Sequence, residues 1–270
     1  MNPSDLTGRV AVVVGAGQTK GTTLGNGRAT AIVFARAGAK VIAVDRDFES
    51  AKETAEMIGA EGGQAHAIQA DVTDEQSLID MVAETMRIHG RIDILHNNVG
   101  VAGAGGDQPI EDITAETFDR LSDVNIKGMV LTCKHVLPIM REQESGSVIN
   151  VASSAAFAVY PNVAYKTTKM GVLGLTQHIA LRYAPYGVRA NSILPGLIDT
   201  PMAIETRVSL TGRSREDIIQ ERNATVPLRG RMGTSWDVAN AALFLASDAA
   251  GFITGVHLPV DGGALARVGP

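Results

Sequence analysis

The chain has 270 residues, of which 45% are hydrophobic and 20% are charged, a balance typical of globular proteins that excludes an intrinsically disordered chain. The formal net charge is -5 and the lysines and arginines form no runs, so we expect no nucleic-acid partner. Cys133 is the single cysteine, which excludes an intrachain disulfide.

The chain alternates between two kinds of segment. Short runs rich in β-branched residues predict strands at residues 9–14, 40–44, 65–69, 92–96, 147–151, 188–194 and 256–260. Segments with apolar residues spaced three or four apart predict helices at residues 29–37, 51–58, 77–88, 118–140, 164–183 and 237–246. This alternation predicts βαβ units, and therefore an α/β fold in which helices cover both faces of a doubly wound, mostly parallel sheet in three layers.

Local signals add helix starts and a domain plan. Thr73 and Thr234 precede acidic residues and are predicted N-caps, and Asp237 completes a capping-box pattern after Thr234. No linker or repeat marks a boundary, so we expect one domain over residues 1–270. Residues 202–231 break the alternation with a polar, charged segment, which we predict to be a helical insertion or lid.

A glycine-rich turn, residues 15–27, follows the first predicted strand and leads into the first predicted helix. Glycines in such a turn let the backbone approach a pyrophosphate, while N–H groups at the helix start bind the anion. A flexible loop that only requires small residues is the alternative, because a glycine-rich turn alone is weakly specific. The predicted dinucleotide contacts in the turn are Gly15, Gly17, Gly25, Asn26 and Gly27.

The ends of the next strands carry further polar residues. The second strand ends at Asp45, whose carboxylate can accept hydrogen bonds from an adenosine ribose and would repel a ribose 2′-phosphate, which favours NAD over NADP. Nearby cations such as Arg46 could offset that repulsion. Asp71 and Val72 follow the third strand and residues 97–100 follow the fourth, so both segments are expected at the ligand-binding edge. A loop-capping Asp or Asn is the alternative at each.

Tyr165 and Lys169 lie four residues apart in a predicted helix, so their side chains share one face. A free phenol has a pKa near 10 and is less than about 1% ionised at neutral pH, whereas a neighbouring ammonium stabilises the phenolate. The pair therefore predicts a tyrosine of lowered pKa that exchanges a proton with an alcohol or ketone oxygen. A packed tyrosine beside a solvated lysine is the alternative, because this spacing is common.

Two further polar residues are candidates for the same chemistry. Ser153 follows the fifth predicted strand and could donate a hydrogen bond to a substrate oxygen at the same edge. A helix N-cap or a serine turn is the alternative, and Ser154 competes for the role. Asn125 lies inside a predicted helix, where asparagine is mildly unfavourable, so an internal polar contact or a bound water is expected. A plain exposed asparagine is the alternative.

In this order the motifs resemble the short-chain dehydrogenase/reductase family over nearly the whole chain. They are the glycine-rich first turn, Asp45, Asp71, Asn97-Asn98-Val99-Gly100, Asn125, Ser153, Tyr165-Lys166-Thr167-Thr168-Lys169, Pro195-Gly196 and Asp261-Gly262-Gly263. The resemblance implies a seven-stranded Rossmann-like sheet, a nicotinamide cofactor and a homotetramer or homodimer. The first turn is longer than the family's usual G-x-x-x-G-x-G, so the roles of its individual glycines stay open.

The resemblance also implies roles for single residues. Tyr165 would be the general acid/base, Ser153 would orient the substrate oxygen, and Lys169 would bind the nicotinamide ribose. Asn125 would hold a water in a proton relay behind Lys169. The implied cofactor contacts beyond the first turn and Asp45 are Arg46, Asp71, Val72, Asn98, Val99, Gly100, Tyr165, Lys169, Pro195, Gly196, Ile198 and Thr200.

We therefore predict an NAD-dependent dehydrogenase or reductase of secondary alcohols and ketones. The walls expected for its pocket are largely apolar with few fixed charges, which suits a hydrophobic or cyclic skeleton. An NADPH-dependent 3-oxoacyl thioester reductase and a non-catalytic nucleotide-binding regulator are the alternatives. The six histidines show no ligand spacing, so no metal is expected. Residues 1–14 lack a targeting pattern and no membrane-length apolar run occurs, so we expect a cytoplasmic protein without a membrane partner.

Overall fold

A seven-stranded parallel sheet forms the centre of the computed structural model, which describes residues 3–267. Its order is β3-β2-β1-β4-β5-β6-β9, while β7 and β8 pair separately. This arrangement confirms the predicted fold class. The strands are β1 (Val10–Val14), β2 (Lys40–Asp45), β3 (Gln64–Gln69), β4 (Ile94–Asn97), β5 (Gly146–Val151), β6 (Val188–Pro195), β7 (Ile198–Asp199), β8 (Gly233–Thr234) and β9 (His257–Val260).

Helices cover both faces of the sheet because side chains alternate along each strand. On β1, Val12 packs in the core cluster that contains residues of α3, α5 and α6, and Val13 packs in the cluster that contains residues of α1, α2 and α9. The helices are α1 (Asn26–Arg36), α2 (Phe48–Ala60), α3 (Glu75–His89), α4 (Ala115–Ser122), α5 (Gly128–Glu142), α6 (Val163–Tyr183), α7 (Pro201–Thr211), α8 (Arg215–Ala224) and α9 (Ser235–Ala246).

The sheet order creates the crevice in which a ligand is expected. β1 lies between β2 and β4, so the chain connections leave it in opposite directions on its two sides. At such a switch point the loops that follow the strands separate and leave a cleft outside the carboxyl ends of the strands. The glycine-rich turn after β1 and the segment after β4 border this cleft.

The single helix predicted over residues 118–140 is wrong. The segment forms α4 and α5, joined by a π-helical turn at Asp123–Lys127. Asn125 lies in this turn, and its side chain hydrogen-bonds to the backbone of Val101 rather than facing solvent. Apolar periodicity is similar on both sides of the turn, so it could not reveal the extra residue.

One of the two N-cap predictions is wrong and the other is confirmed. Asp74, not Thr73, caps α3, because its carboxylate accepts a hydrogen bond from the Gln76 N–H at 3.0 Å. Thr73 instead donates to Asp71 through both its N–H and its hydroxyl. The capping box of α9 is confirmed, since the Asp237 carboxylate accepts from the Thr234 N–H at 2.7 Å.

The predicted insertion at residues 202–231 contains α8 and most of α7, between β7 and β8. Ile204 and Ile218 are buried together with Val226 and Met232 in a small core of their own. Its action as a lid stays a prediction. The single domain proposed for residues 1–270 also stays a prediction, and residues 1, 2 and 268–270 lie outside the described residues.

Candidate active site

The ends of β4 and β5 are joined to α6 by buried amides. The Asn97 side chain on β4 donates to Asn150 Oδ1 on β5 at 2.9 Å, and the Asn150 amide donates to the Thr176 hydroxyl on α6 at 3.0 Å. Asn97, Asn150 and Thr176 are at most 1% exposed. Because a buried polar group is costly when unpaired, this chain of contacts fixes α6 relative to the strand ends.

Tyr165 and Lys169 occupy the first two turns of α6, as predicted. Lys169 Nζ lies 5.7 Å from the centroid of the Tyr165 ring and donates to the Val151 carbonyl at the end of β5 at 2.8 Å. Lys169 is only 2% exposed, so the alternative of a solvated lysine is wrong. The pair therefore lies over the carboxyl end of β5, at the edge of the cleft.

Burial dominates the electrostatics of this pair. It raises the pKa of Tyr165 to about 12, although an interaction with the Ser153 hydroxyl acts in the opposite direction. It lowers the pKa of Lys169 to about 8. The lowered Tyr165 pKa predicted from the sequence is therefore wrong for the protein by itself, because removal from water penalises the phenolate more than the protein's own groups stabilise it.

Ser153 lies beside Tyr165 and also caps a short helix. Its backbone is extended, and its Oγ accepts a hydrogen bond from the Ala155 N–H at 3.1 Å at the start of a 3-10 turn, Ser154–Ala156. The hydroxyl proton is not used by that contact, so it is available to an oxygen in the cleft. The capping and donor interpretations of Ser153 are thus compatible.

Asn125 makes the internal polar contact expected from the sequence. It is fully buried, its Oδ1 accepts from the Val101 N–H at 2.7 Å, and its Nδ2 donates to the Val101 carbonyl at 2.9 Å. These bonds hold the segment that follows Gly100 against the π-helical turn. The proton-relay role implied by the resemblance stays a prediction.

Asp107 is a site residue that sequence reasoning missed. Its carboxylate accepts from the backbone N–H groups of Ala164 and Tyr165, both at 2.9 Å, and the residue is 4% exposed. Asn162, the N-cap position of α6, makes no side-chain cap, so Asp107 supplies the cap from a distant loop. The two segments are 57 residues apart, and no local pattern could have revealed this contact.

Lys166 is a second missed residue. Its ammonium donates to the carbonyls of Ala155, Ala156 and Ala158, at 3.1, 3.1 and 2.5 Å. These carbonyls belong to the segment that carries Ser153. Lys166, which lies between Tyr165 and Lys169 in the sequence, therefore holds the loop that carries Ser153. The spacing of Tyr165 and Lys169 gives no indication of this contact.

The glycine-rich turn is built by close backbone contacts. Gly15 has a φ of 85°, and a Cβ on Gly27 would lie 1.9 Å from the Gly15 carbonyl oxygen, so only glycine fits at the start of α1. The Asn98 amide donates to that same carbonyl at 3.0 Å. Gln18 closes the extra length of the turn, since its Oε1 accepts from the Gly25 N–H at 2.9 Å.

The residues of this turn fit a dinucleotide. A Cβ on Gly17 would meet the Asp45 carboxylate at 2.8 Å, and the Gly17 N–H donates to that carboxylate at 3.0 Å. Asp45 thus lies against the turn, where a ribose would lie beside a pyrophosphate at the start of α1. Among the described residues, the Asn26 side-chain oxygen at the first position of α1 is buried without a hydrogen-bond partner. An unpaired polar atom there is consistent with a ligand contact.

The remaining predicted cofactor residues lie along the carboxyl edge of the sheet or just beyond it. Asp71 binds Thr73, which lowers its pKa, while the side chain of Val72 is buried against Gly128. A Cβ on Gly100 would lie 2.9 Å from Lys169 Nζ. The others lie at or after strand ends: Arg46 is exposed after β2, Val99 packs beside Gly15 after β4, Pro195 ends β6 and Gly196 follows it, Ile198 is buried in β7, and Thr200 caps α7.

Two other classes of site have no support in the part of the chain that the structure describes. Across residues 3–267, no group of three or more His, Cys, Asp and Glu side chains could hold a metal ion. His96, which packs edge-on against Phe34, is fully buried, and burial lowers its pKa to about 3. No helix within the same range is long and apolar enough to cross a membrane.

Known proteins match nearly the full length of this chain. A family model described as enoyl-(acyl carrier protein) reductase matches residues 21–264. The 2-(R)-hydroxypropyl-CoM dehydrogenase of Xanthobacter autotrophicus is 37% identical over 256 residues, which cover 94% of this chain and 97% of that protein. Levodione reductase of Leifsonia aquatica is 36% identical over 261 residues, which cover 96% and 94%. The chain belongs to the short-chain dehydrogenase/reductase family.

Solved structures agree with this assignment. A levodione reductase structure has a TM-score of 0.90 and 34% identity and covers 97% of this chain and 100% of that chain. A Burkholderia xenovorans structure, described as a short-chain dehydrogenase/reductase, has a TM-score of 0.89 and 40% identity and covers 98% and 99%. The protein is therefore an NAD(P)-dependent oxidoreductase that interconverts alcohols and carbonyl compounds, which confirms the predicted enzyme class.

The comparisons leave the choice between the two nicotinamide dinucleotides open. A Beutenbergia cavernae structure, described as an NAD(P)-dependent gluconate 5-dehydrogenase, contains NADP at low occupancy and has a TM-score of 0.86 with 35% identity. It covers 98% of this chain and all of that chain. The cofactor class is thus NAD(P).

Asp107→Asn tests the cap on α6. The substitution replaces one acceptor oxygen with an amide NH2 group, which cannot accept the hydrogen bond of the backbone N–H that it faces. We therefore expect the free energy of unfolding to fall by about 1–3 kcal/mol. Urea denaturation followed by circular dichroism measures this loss. The matched control is Asp112→Asn, an exposed carboxylate in the same loop, which should be nearly neutral. Equal stabilities of the two variants would contradict the cap.

Lys169 makes stability depend on pH. Its pKa falls from an ordinary value of 10.5 to about 8 in the folded protein, so between these pH values the unfolded chain binds more protons. Stability therefore rises with pH across this window. The difference in unfolding free energy between wild type and Lys169→Met should increase by about 2–3 kcal/mol from pH 8 to 10.5. Lys52→Met, an exposed control, should follow wild type, and parallel curves for all three proteins would rule the shift out.

Proposed function

We propose that the protein transfers hydride between NAD(H) and a secondary alcohol or its ketone, on a hydrophobic or cyclic skeleton. The observation that carries this proposal is the meeting of Tyr165, Ser153 and Lys169 over the end of β5. The glycine-rich turn and Asp45 border the same cleft. A substrate carbon and a nicotinamide ring can then approach each other beside the phenol.

Each residue has a distinct part in this scheme. The Tyr165 hydroxyl gives its proton to the carbonyl oxygen during reduction and takes it back during oxidation. Ser153 donates a hydrogen bond to the same oxygen and stabilises its developing charge. Lys169 binds the nicotinamide ribose and, with Asn125, returns the proton towards solvent.

The raised pKa of Tyr165 fits the reducing direction directly. A phenol with a pKa near 12 keeps its proton at neutral pH and is ready to donate it. The oxidising direction requires a positive charge close to the phenolate. Bound NAD⁺ supplies the hydride acceptor and such a charge, to which the Lys169 ammonium adds when it is protonated.

NAD is the preferred cofactor in this proposal. The Asp45 carboxylate lies against Gly17 at the end of β2, where it would accept hydrogen bonds from the ribose hydroxyls and repel a 2′-phosphate. This charge weighs against the NADPH-dependent 3-oxoacyl thioester reductase. The presence of Ser153, Tyr165 and Lys169 weighs against a regulator without catalytic activity.

The wider setting follows from the resemblance and the relatives. The similarity to levodione reductase supports a ketone substrate. In this scheme residues 202–231 form a lid over the substrate. We also propose a homotetramer or homodimer in the cytoplasm, a small-molecule substrate and no nucleic-acid partner.

Tyr165→Phe tests the role of the phenol. General acid–base groups contribute about 10²- to 10⁴-fold to rate, so kcat should fall by at least about 100-fold. The Kd for NADH, measured by fluorescence, should be unchanged. A screen of secondary alcohols with NAD and NADP at 340 nm supplies the substrate. Tyr186→Phe, an exposed control in the short turn that follows α6, should keep full activity, and full turnover by Tyr165→Phe would remove Tyr165 from the mechanism.

Asp45→Asn tests the cofactor preference. The variant keeps the shape of the side chain but removes the charge that repels the 2′-phosphate, so the ratio of kcat/KM for NAD to that for NADP should fall by about tenfold or more. Asp47→Asn makes the same charge change two residues further along, on an exposed residue. An unchanged ratio in Asp45→Asn, or an equal change in both variants, would reject the ribose contact.

A further inference from the structure

A cavity of about 280 Å³ lies between α7 and α8, in the segment predicted to be a lid. Its lining carries more fixed charge than the largely apolar walls expected for the substrate pocket. Arg207 and Arg213 come from α7 and the turn after it, and Glu221 and Arg222 come from α8, beside the apolar Leu197 and Ile218. The cavity therefore has an apolar floor and a charged wall.

Positive charge exceeds negative charge in this segment. Residues 202–231 contain six arginines and four carboxylates. Arg215 pairs with Glu205 at 3.1 Å and with Asp199 at 3.4 Å, and Arg213 pairs with Glu221 at 2.6 Å. The carboxylates nearest to the cavity are thus already neutralised by two of the arginines.

Arg207 and Arg222 are the two arginines of the cavity wall that pair with no carboxylate among the described residues. Arg207 donates to the Ala203 carbonyl at 2.6 Å, and Arg222 Nε points to Met232 Sδ at 3.2 Å. Within residues 3–267, no carboxylate oxygen lies within 4.0 Å of either guanidinium, so neither forms an ion pair. A guanidinium has five N–H donors, so most of the hydrogen-bonding capacity of both groups is unused by the protein.

The charge of Arg222 is also partly withdrawn from water. Arg222 is half-buried, and burial, followed by the positive charge of Arg207, lowers its pKa to about 10. The negative charges of Asp199 and Glu221 oppose this shift only in part. A buried charge without a partner is costly, and an incoming anion relieves that cost.

The two arginines lie close enough to Tyr160 for their charges to act on it. The Tyr160 ring lies 5.6 Å from the Tyr165 ring, and Arg207 and Arg222 both exert charge effects on Tyr160. Arg207 acts on Tyr165 as well. A substrate that reaches Tyr165 can therefore extend past Tyr160 towards the arginines.

We propose that the substrate carries an oxyanion, such as a carboxylate, which Arg222 and Arg207 bind between α7 and α8 while its alcohol or ketone reaches Tyr165. This inference rests on the proposed function and narrows its substrate class to anionic secondary alcohols and ketones. Planar guanidinium groups form charge-assisted, often bidentate hydrogen bonds with carboxylates and phosphates. The apolar floor at Leu197 and Ile218 accommodates the skeleton between the two ends.

Matched substrates test the proposal. The set consists of hydroxycyclohexanecarboxylates, their methyl esters and the corresponding phosphate monoesters of cyclohexanediols, each assayed with NAD. Wild type should prefer an anion over its methyl ester by about tenfold or more in kcat/KM, because the ester lacks the charge-assisted bonds. The comparison of carboxylate with phosphate tells which oxyanion fits. An ester turned over as well as its acid would overturn the proposal.

Variants then assign the effect to the arginines. Arg222→Gln should lose the preference for the anion, mainly through KM, and leave kcat/KM for the ester unchanged within about twofold. Arg222→Lys should keep part of the preference, and Arg207→Gln, on an exposed residue, covers the case in which Arg222→Gln does not fold. Arg231→Gln makes the same charge change in the lid outside the cavity lining and should behave as wild type. Equal losses for acid and ester in Arg222→Gln would reveal a structural role only and overturn the proposal.

Calorimetry separates failure of this inference from failure of the proposed function. If no compound in the set reduces NAD, the proposed reaction has failed for this substrate class, but binding of the carboxylates and of inorganic phosphate still reports on the arginines. Binding to wild type that weakens at least about tenfold in Arg222→Gln and with added salt supports the anion site. Equal binding by both proteins, or no binding to wild type, overturns it.

Discussion

Two backbone N–H groups at the start of α6 point at the buried carboxylate of Asp107, and the position of the reacting groups depends on that contact. Helix starts leave N–H groups without partners, and here the sequence next to the helix supplies no cap. The loop after β4 supplies it instead, while Asn125 holds the beginning of the same loop. The first turn of the helix that carries Tyr165 and Lys169 is thus fixed by the loop that follows β4.

Burial sets the electrostatics of the site in two opposite ways. It raises the pKa of Tyr165, which keeps the phenol protonated, and it lowers the pKa of Lys169. Burial therefore disfavours the charged form of both groups. Because little water screens them, a charge brought in with a ligand changes both pKa values strongly. Between α7 and α8, Arg222 is half-buried without an ion-pair partner among the described residues, and burial lowers its pKa to about 10.

The lengthened first turn reaches from the end of β1 to the start of α7. Gln18 closes the turn by accepting from the Gly25 N–H, and a Cβ on Gly21 would lie 2.8 Å from Pro201 at the start of α7. The glycine-rich turn therefore packs directly against the start of α7. The residues between Gly15 and Gly25 give the turn the length it needs to make this contact.

The sequence by itself determined the α/β class, all seven sheet strands within two residues at each end, and the pairing of Tyr165 with Lys169, because strand and helix periods and the i, i+4 geometry are local properties of the chain. Only the tertiary structure decided the π-helical turn at Asn125, the cap of Asp107, the direction of the Tyr165 pKa shift and the unpaired charge of Arg222. Each of these depends on which groups from distant segments are buried together, and burial and long-range hydrogen bonds leave no periodic trace in the sequence.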